Sequence, residues 1–339
     1  MQTSVTRRLG IEAPIVQAPI GGLSVPALAG AVSKAGGLGM MAISWLDPDG
    51  IRSQIADVRV MTDRPFGVNV IIDPQDPPQD ERVAVALAAG APVLSFFWGD
   101  PAPYLDAVHR AGAIAMLTVG SAAEAKRAVD AGVDVIVAQG FEAGGHVWGE
   151  VSTLVLVPAV VDAVGDAPVI AAGGIADGRG LAAVLVLGAG AAWMGTRFVA
   201  SAEAPAHPAW VAKILRSAET DTFHSSLFDI GWPGAPHRVL RNRTIEAWLA
   251  AGRPMPGERP GEGDVLARRP DGTEIVRYQS VSARATASGE IEELSLWAGQ
   301  TTGLVHEVLP AAEIVHRTVS EAERVLAHLA APARSGAGA

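Results

Sequence analysis

The sequence contains no cysteine, and this absence excludes disulfide bonds, thiolate metal sites, iron–sulfur clusters and cysteine nucleophiles. Positive charge is scarce: 26 Lys and Arg stand against 36 Asp and Glu, giving a net charge of −10, which argues against nucleic acid or an anionic membrane surface as a partner. The longest apolar runs, such as Leu181 to Leu187, are far shorter than the roughly 20 residues of a membrane-spanning helix. Met1 to Leu9 has no apolar run behind its arginines, so we expect no signal peptide and a cytoplasmic protein.

Hydrophobic residues make up 49% of the 339 residues, and aromatic residues only 5%, which is typical of an α/β protein. Short apolar runs of strand character recur along the first two hundred residues: Ile15–Ile20, Leu38–Ile43, Phe66–Ile72, Val93–Trp98, Ile114–Val119, Val133–Ala138, Val169–Ala172 and Ala192–Phe198. Helical patterns lie between them: Pro26–Ala35, Pro48–Val60, Pro103–Arg110, Ala122–Asp130, Leu154–Val164 and Gly178–Leu187.

Apolar strands that alternate with helices predict a parallel sheet covered on both faces. Eight such units predict an α/β fold of the (β/α)8 TIM barrel type. A doubly wound sheet is the alternative, because the same alternation builds it.

The pattern changes after residue 204, where Trp, His, Arg and Pro/Gly-rich segments become frequent. We therefore assign 1–204 and 300–331 to the barrel, with a final helix over Ala312–Ala330. We assign 205–299, where Arg277–Val281 has strand character, to a smaller inserted α+β domain that caps the barrel mouth. An exposed apolar patch on it would support a homodimer. Residues 332–339 are small and predict a flexible tail.

The loop after the sixth strand, Gln139 to Val151, is longer than the others, and barrel active sites are built from such loops. Gln139 ends the strand, so its amide is expected to point into the mouth. Gly144 and Gly145 let the backbone pass close to a planar cofactor. His146 then suits a general base or an anion-binding donor. Glu142 either orients a backbone amide or faces solvent.

Glycines also follow the last two strands. Gly173 and Gly174 come after strand seven, and Gly195 and Thr196 lie at strand eight, where barrels often bind a phosphate through backbone N–H groups. The alternative is that these glycines only form tight turns. Asp177 is expected to be a helix N-cap.

Two further strands carry polar or turn residues that reach the mouth. Gln17 to Ile20 end strand one, and Asn69 lies in the otherwise apolar strand three. A buried Asn69 needs a partner, which is either a ligand or an internal hydrogen bond.

Several common sites have no counterpart in the sequence. The histidines show no metal-ligand spacing, so we expect no metal. No dinucleotide-binding Gly-x-Gly-x-x-Gly follows a strand, and no Gly-x-Ser-x-Gly nucleophile motif occurs.

Taken together, these segments resemble the nitronate monooxygenase family, formerly called 2-nitropropane dioxygenases. The resemblance covers nearly the whole chain and rests on Gln17–Pro19, Phe66–Asn69, Gln139–His146, Ala172–Ile175, Met194–Phe198 and Ala298–Gln300. It implies a non-covalently bound FMN with His146 as the catalytic histidine, and Gln300 on the helix that closes the barrel. The FMN contacts expected from these segments are Ala18, Pro19, Ile20, Asn69, Gln139, Gly144, Gly145, Gly173, Gly174, Met194, Gly195, Thr196 and Gln300.

The chain departs from the family pattern near the expected substrate. Ile20 stands where members often have Met, and Val147-Trp148-Gly149 follows the histidine, so the pocket wall there is bulkier. Only two tyrosines are available; Trp148, His224, Trp232 and Tyr278 are candidate wall residues.

The resemblance implies oxidation of a small alkyl nitronate by FMN and O2 to a carbonyl compound and nitrite. His146 would hydrogen-bond the nitro group, or remove an α-proton from a neutral nitroalkane, for which a near-neutral pKa would suit. One alternative is an NAD(P)H-dependent flavin reductase acting on quinones or enoyl thioesters. Others are a phosphate-binding barrel without redox chemistry, such as a sugar-phosphate isomerase or lyase, and a catalytically silent flavin-binding protein.

Overall fold

The computed structural model describes residues 1–330; the predicted tail, 332–339, and the last residue assigned to the barrel, 331, lie outside the described residues. The strands in this range are β1 (Ile15–Gln17), β2 (Gly39–Ala42), β3 (Phe66–Ile71), β4 (Val93–Phe97), β5 (Ile114–Val119), β6 (Val135–Gln139), β7 (Gly145–His146), β8 (Val169–Ala172), β9 (Ala191–Met194), β10 (Thr222–Ser225), β11 (His237–Leu240), β12 (Val265–Arg268), β13 (Glu274–Val276) and β14 (Ser288–Gly289).

The α-helices of the same range are α1 (Ser4–Leu9), α2 (Pro26–Lys34), α3 (Pro48–Met61), α4 (Asp80–Ala88), α5 (Ala102–Arg110), α6 (Ala122–Ala131), α7 (Thr153–Val164), α8 (Gly178–Val186), α9 (Thr196–Val199), α10 (Pro208–Arg216), α11 (Arg243–Ala250) and α12 (Ala311–Ala330). None of these helices is long and apolar enough to cross a membrane.

Eight strands form one sheet in the order β1-β9-β8-β6-β5-β4-β3-β2. Its ladders are parallel. The first and last strands of this order also meet, since Gln17 N–H donates to the carbonyl of Leu38 and Leu38 N–H donates to that of Ile15, both at 2.9 Å. The sheet is therefore closed, and the predicted (β/α)8 barrel is confirmed.

Alternate residues of each barrel strand enter different cores, as the pleat requires. In β6, Val135 and Val137 point into the barrel, whereas Ile136 and Ala138 join the larger core between the strands and the surrounding helices. Such two-sided burial explains why the strands read as continuous apolar runs.

Three of the helices between the barrel strands begin at a side-chain N-cap. Asp47 accepts from Gly50 N–H, Ser121 accepts from Glu124 N–H, and Asp177 accepts from two backbone N–H groups at the start of α8. The N-cap role expected of Asp177 is thus confirmed. The six helices expected between the strands are all present, and each differs from its predicted span by one residue.

Three expected strand spans were wrong by three residues or more, while the others that differ do so by one or two residues at an end. The first barrel strand stops at Gln17 because the chain turns back at Ile20, whose carbonyl accepts from Leu23 and Ser24. The eighth stops at Met194, and the residues that follow Gly195 form helix α9 instead. In the later region the strand ends at Val276 rather than running over Arg277–Val281, since Tyr278 has a φ of 69°.

We refer to residues 205–299 as the cap segment; its limits as a separate domain stay a prediction. It contains two α-helices and five strands. Together with β7, these strands form two three-stranded sheets, β10-β11-β7 and β13-β12-β14. The first of these sheets therefore takes its third strand, β7, from the barrel loop. The cap core also contains barrel residues such as Leu23 and Val199, which places the cap segment over the carboxyl ends of the strands.

Candidate active site

A cavity of about 1120 Å³ opens at the carboxyl ends of the barrel strands, beneath the cap segment. Twelve of the predicted site residues line it: Ala18, Pro19, Ile20, Asn69, Gln139, Gly144, Gly145, His146, Gly173, Gly174, Gly195 and Thr196. These residues come from five different barrel strands, β1, β3, β6, β8 and β9, or the loops that follow them.

Two predicted contacts lie off this cavity. Met194 packs in the core outside the barrel, and its neighbour Trp193 lines the cavity instead, because successive side chains of a strand point to opposite faces. Gln300 is exposed and begins a short 3-10 helix, Gln300–Leu304, rather than lying on the helix that closes the barrel, while Gly299 and Thr301 beside it line the cavity.

His146 lies in the short strand β7 rather than in an irregular loop. Strand β7 pairs antiparallel with β11 of the cap segment, so that His146 stands opposite His237 and Gly145 opposite Arg238. This pairing fixes the direction of the imidazole, because neighbouring residues of a strand point to opposite faces.

Three tryptophans surround the imidazole of His146, and we call them the tryptophan cluster: Trp98, Trp232 and Trp297. Their rings lie 5.9, 3.9 and 5.3 Å from it, centre to centre. The Nε2 atom is buried and has no hydrogen-bond partner among the described residues. A buried polar atom without a partner is costly, so this nitrogen is suited to bond a bound molecule.

Burial, and secondarily the neighbouring His237, holds the pKa of His146 well below its ordinary value. The imidazole is therefore neutral at pH 7. The near-neutral pKa expected of a base that deprotonates nitroalkanes is not what this environment produces.

His237 is neutral as well, and its tautomer is fixed by two backbone groups. Its Nδ1 lies 2.9 Å from the carbonyl of Ala235, to which it donates, while Nε2 accepts from Phe228 N–H at 3.2 Å. Burial lowers the pKa of His237 to about 4. His237 therefore packs opposite His146 as an uncharged residue at pH 7.

The loop that carries His146 is fixed by two polar side chains at its ends. Gln139 donates from Nε2 to the carbonyl of His146 at 3.1 Å and accepts at Oε1 from Trp148 N–H at 2.9 Å. Glu142 accepts from the N–H and the hydroxyl of Thr153, at 2.9 and 3.0 Å, at the start of α7. Of its two expected roles, Glu142 has the one in which it orients a backbone amide.

Asn69 has the internal hydrogen bond that was one of its two expected roles, and its contact with a ligand stays a prediction. Its Nδ2 donates to the carbonyl of Ser95 at 3.1 Å, and the residue also lines the cavity. The internal hydrogen bond therefore holds the amide in place at the cavity wall.

Glycine is required where backbones cross beneath the cavity. A Cβ on Gly144 would lie 2.1 Å from the nitrogen of Gly299, and one on Gly173 would lie 2.8 Å from the carbonyl oxygen of Gly140. Gly173 and Gly174 both have positive φ, of 90° and 74°. Gly195 and Thr196, at the start of α9, line the cavity together with them, at the strand ends where barrels often bind a phosphate.

Of the four wall residues suggested by the sequence, Trp232 alone lines the cavity. The sequence analysis missed Trp297, which lines the cavity, and Trp98, which does not line it but contacts His146. The aromatic run that ends β4 was a signal for Trp98, which has a strained φ of 75°. Nothing local marks Trp297, because its contact with His146 is made across more than a hundred residues of sequence.

Comparisons with known proteins agree with this geometry. The family model described as nitronate monooxygenase matches residues 2–81 and 75–321. A nitronate monooxygenase of Pseudomonas aeruginosa is 34% identical, with 95% of this chain and 99% of that protein covered. A (3aS,4S,5R,7aS)-5-hydroxy-7a-methyl-1-oxo-octahydro-1H-indene-4-carboxyl-CoA dehydrogenase of Mycobacterium tuberculosis is 37% identical over 73% of this chain and 68% of that protein.

Among solved structures, FabK from Thermotoga maritima superposes with a TM-score of 0.82 at 36% identity, covering 97% of this chain and 98% of that one. The similarity thus extends over barrel and cap segment alike. The chain belongs to the nitronate monooxygenase family and is a flavin-dependent oxidoreductase built on a (β/α)8 barrel.

Proposed function

We propose that this protein oxidises alkyl nitronates with bound FMN and O2, giving a carbonyl compound and nitrite. The observation that carries the proposal is the buried Nε2 of a neutral His146, which lines the cavity of a member of this family and has no hydrogen-bond partner within residues 1–330. Two nitronate anions and one O2 give two carbonyl compounds and two nitrite ions, so atoms and charge balance without another reductant.

The residues around the cavity fit FMN. Gly174, Gly195 and Thr196 would hold its phosphate through backbone N–H groups, since the glycines leave space there and the net charge of the chain offers no broad basic field. Asn69 and the backbone at Gly144 and Gly145 would contact the planar ring, next to His146. When bound, FMN supplies the redox chemistry by accepting electrons from the substrate and passing them to O2.

His146 binds and orients the substrate in this proposal. As a neutral imidazole it donates one hydrogen bond, from Nε2 to an oxygen of the nitro group, and this bond is strengthened by the low dielectric of the tryptophan cluster. A lowered pKa makes His146 a weak base. We therefore propose preformed nitronates, rather than neutral nitroalkanes, as the substrates.

A second candidate is an NAD(P)H-dependent flavin reductase acting on an enoyl thioester or a quinone. The outer end of the cavity favours it: Trp45 is 62% exposed there, and Arg284 forms no ion pair within residues 1–330. Arg82 lies on the same rim and donates to the carbonyl of Leu46, next to Trp45. An exposed indole beside arginines suits a nucleotide or thioester carrier with phosphates, and one relative is named for a CoA thioester.

The test is a visible spectrum of the purified protein, followed by anaerobic mixing with propionate 3-nitronate and, separately, with NADH or NADPH. Loss of flavin absorbance with the nitronate but not with the nicotinamides supports nitronate oxidation. Reduction of the flavin by NADH or NADPH but not by the nitronate supports the reductase. A colourless protein that does not take up FMN contradicts both proposals and favours a phosphate-binding barrel without redox chemistry.

A further inference from the structure

Trp232 covers one side of His146 more closely than any other ring. The two ring centres are 3.9 Å apart with an interplanar angle of 36°, which is direct contact, so no substrate atom fits between them. Trp98 and Phe97 flank the indole at 5.1 and 6.5 Å on the barrel side. His146 and Trp232 both line the cavity, so a substrate group next to the imidazole also lies next to the indole.

The indole is held in place by a hydrogen bond that crosses from the cap segment to the barrel. Trp232 Nε1 donates to Oδ2 of Asp73 at 2.7 Å. Asp73 follows β3, is 7% exposed, and is itself fixed because its Oδ1 accepts from Gln75 N–H at 2.9 Å. Charge-assisted bonds of this length are stronger than neutral ones.

The backbone on each side of Trp232 turns sharply and is fixed at both ends. Gly231 and Gly234 have positive φ, of 97° and 69°. Before them, Asp229 forms an ion pair of 2.7 Å with the buried Arg259, and after them the chain enters strand β11 at His237. The side chain of Trp232 contacts Phe97 and Trp98 on the barrel side, and its single side-chain hydrogen bond, to Asp73, fixes the direction of the indole between these rings.

We propose that Trp232, positioned by Asp73, is the residue that limits the size of the substrate group admitted beside His146. This inference rests on the proposed function of His146. Small linear nitronates fit alongside the indole, whereas branched or cyclic ones collide with it. Asp73 is a positioning residue, since it acts through Trp232.

The experiment compares kcat/KM for ethylnitronate and cyclohexylnitronate in the FMN-loaded enzyme. In Trp232→Ala, the cyclohexyl-to-ethyl ratio is expected to rise by about tenfold or more, because a bulky group gains the volume of the indole. Asp73→Ala is expected to shift the ratio in the same direction, since the indole is released. Asp73→Asn is expected to stay near the wild type, because its amide oxygen still accepts from the indole N–H.

Two controls separate positioning from damage to the fold. Trp248→Ala removes an indole of the cap segment that also donates a hydrogen bond, to the carbonyl of Pro254 at 3.0 Å, but does not line the cavity. It is expected to leave the ratio unchanged.

The double variant Trp232→Ala/Asp73→Ala is expected to have the same ratio as Trp232→Ala, because Asp73 affects the substrate only through the position of Trp232. If Trp232→Ala does not fold, Trp232→Phe keeps the bulk, loses the bond to Asp73 and should behave as Asp73→Ala.

A second readout does not depend on turnover. Diethylpyrocarbonate labelling of His146, followed by peptide mass spectrometry, is expected to be at least about fivefold faster in Trp232→Ala and Asp73→Ala than in the wild type or Trp248→Ala. Unchanged labelling and an unchanged size ratio in Trp232→Ala would overturn the inference. A labelling change in an enzyme that oxidises no nitronate would instead overturn the proposed function, and would show only that Trp232 limits access to His146.

Discussion

Gln139 is bonded to the backbone of His146, seven residues further along the chain. Its amide donates to the carbonyl of His146 and accepts from the N–H of Trp148, so that one side chain spans the loop on both sides of Val147. The end of a rigid barrel strand thereby sets the position of the imidazole.

Replacing Gln139 by Met keeps the length of the side chain and removes both hydrogen bonds. We expect kcat for nitronate oxidation to fall by about 10–100-fold, because small displacements of a catalytic group have effects of that size. Steady-state kinetics and the flavin spectrum measure this change. Gln139→Glu, which keeps the acceptor for Trp148 N–H, is expected to lose less activity than Gln139→Met, and equal losses would show that the bonds do not matter.

Glu142 is expected to stabilise the folded protein, because its carboxylate accepts a hydrogen bond from the first N–H of α7. Glu142→Ala should lower the free energy of unfolding by about 1–2 kcal/mol, as loss of a helix cap does. Glu142→Gln keeps an acceptor oxygen and should lose less. Urea unfolding measures both, and a wild-type value for Glu142→Ala would contradict the assignment.

Two glycine substitutions distinguish an effect on FMN affinity from an effect on the free energy of unfolding. Gly195→Ala meets no atom closer than 3.5 Å and has no positive φ, so we expect the free energy of unfolding to change by less than about 1 kcal/mol. The added methyl would occupy the proposed phosphate site, and FMN affinity, measured by fluorescence titration, should fall at least about tenfold. Wild-type FMN affinity would place the phosphate elsewhere.

Gly144→Ala is expected to behave in the opposite way. Its Cβ would lie 2.1 Å from the nitrogen of Gly299, a backbone atom that cannot move aside cheaply. We expect a loss of about 3 kcal/mol in unfolding free energy, together with loss of bound flavin. A stable variant with full flavin content would show that the two segments do not pack as described.

The stability of the protein should fall between pH 6.5 and 4. Because burial lowers the pKa of His237 to about 4, the unfolded chain binds a proton there that the folded protein does not, so unfolding free energy rises with pH across this window and is constant above it. The loss on going down to pH 4 is about 3 kcal/mol from this residue. Urea titrations of the wild type and of His237→Gln, which keeps an acceptor for Phe228 N–H, measure the difference; equal slopes would contradict it.

Much of the fold follows from local sequence, because the barrel strands are largely apolar on both faces and several of the following helices carry their own N-cap side chains. The glycine pairs were also readable, since they stand at strand ends. Met194 was expected at the cavity but lies in the core outside the barrel. Successive side chains of a strand point to opposite faces, and the apolar pattern alone did not show which residues of this strand face the cavity. Trp232 meets Asp73, and Trp297 meets His146, only after the cap segment has folded over the barrel. Trp232 was a candidate wall residue from the sequence, but nothing near Asp73 or Trp297 marks these contacts.

Because strand β7 carries His146 and is also the third strand of a cap sheet, the barrel and the cap segment share one hydrogen-bonded ladder. A shift of that ladder by a single residue would point the imidazole away from the cavity. Chimaeras that exchange caps between relatives would therefore inherit a histidine whose direction is set by the donor's β11. Transplanting a new substrate preference onto this barrel requires moving β7, β10 and β11 as one unit.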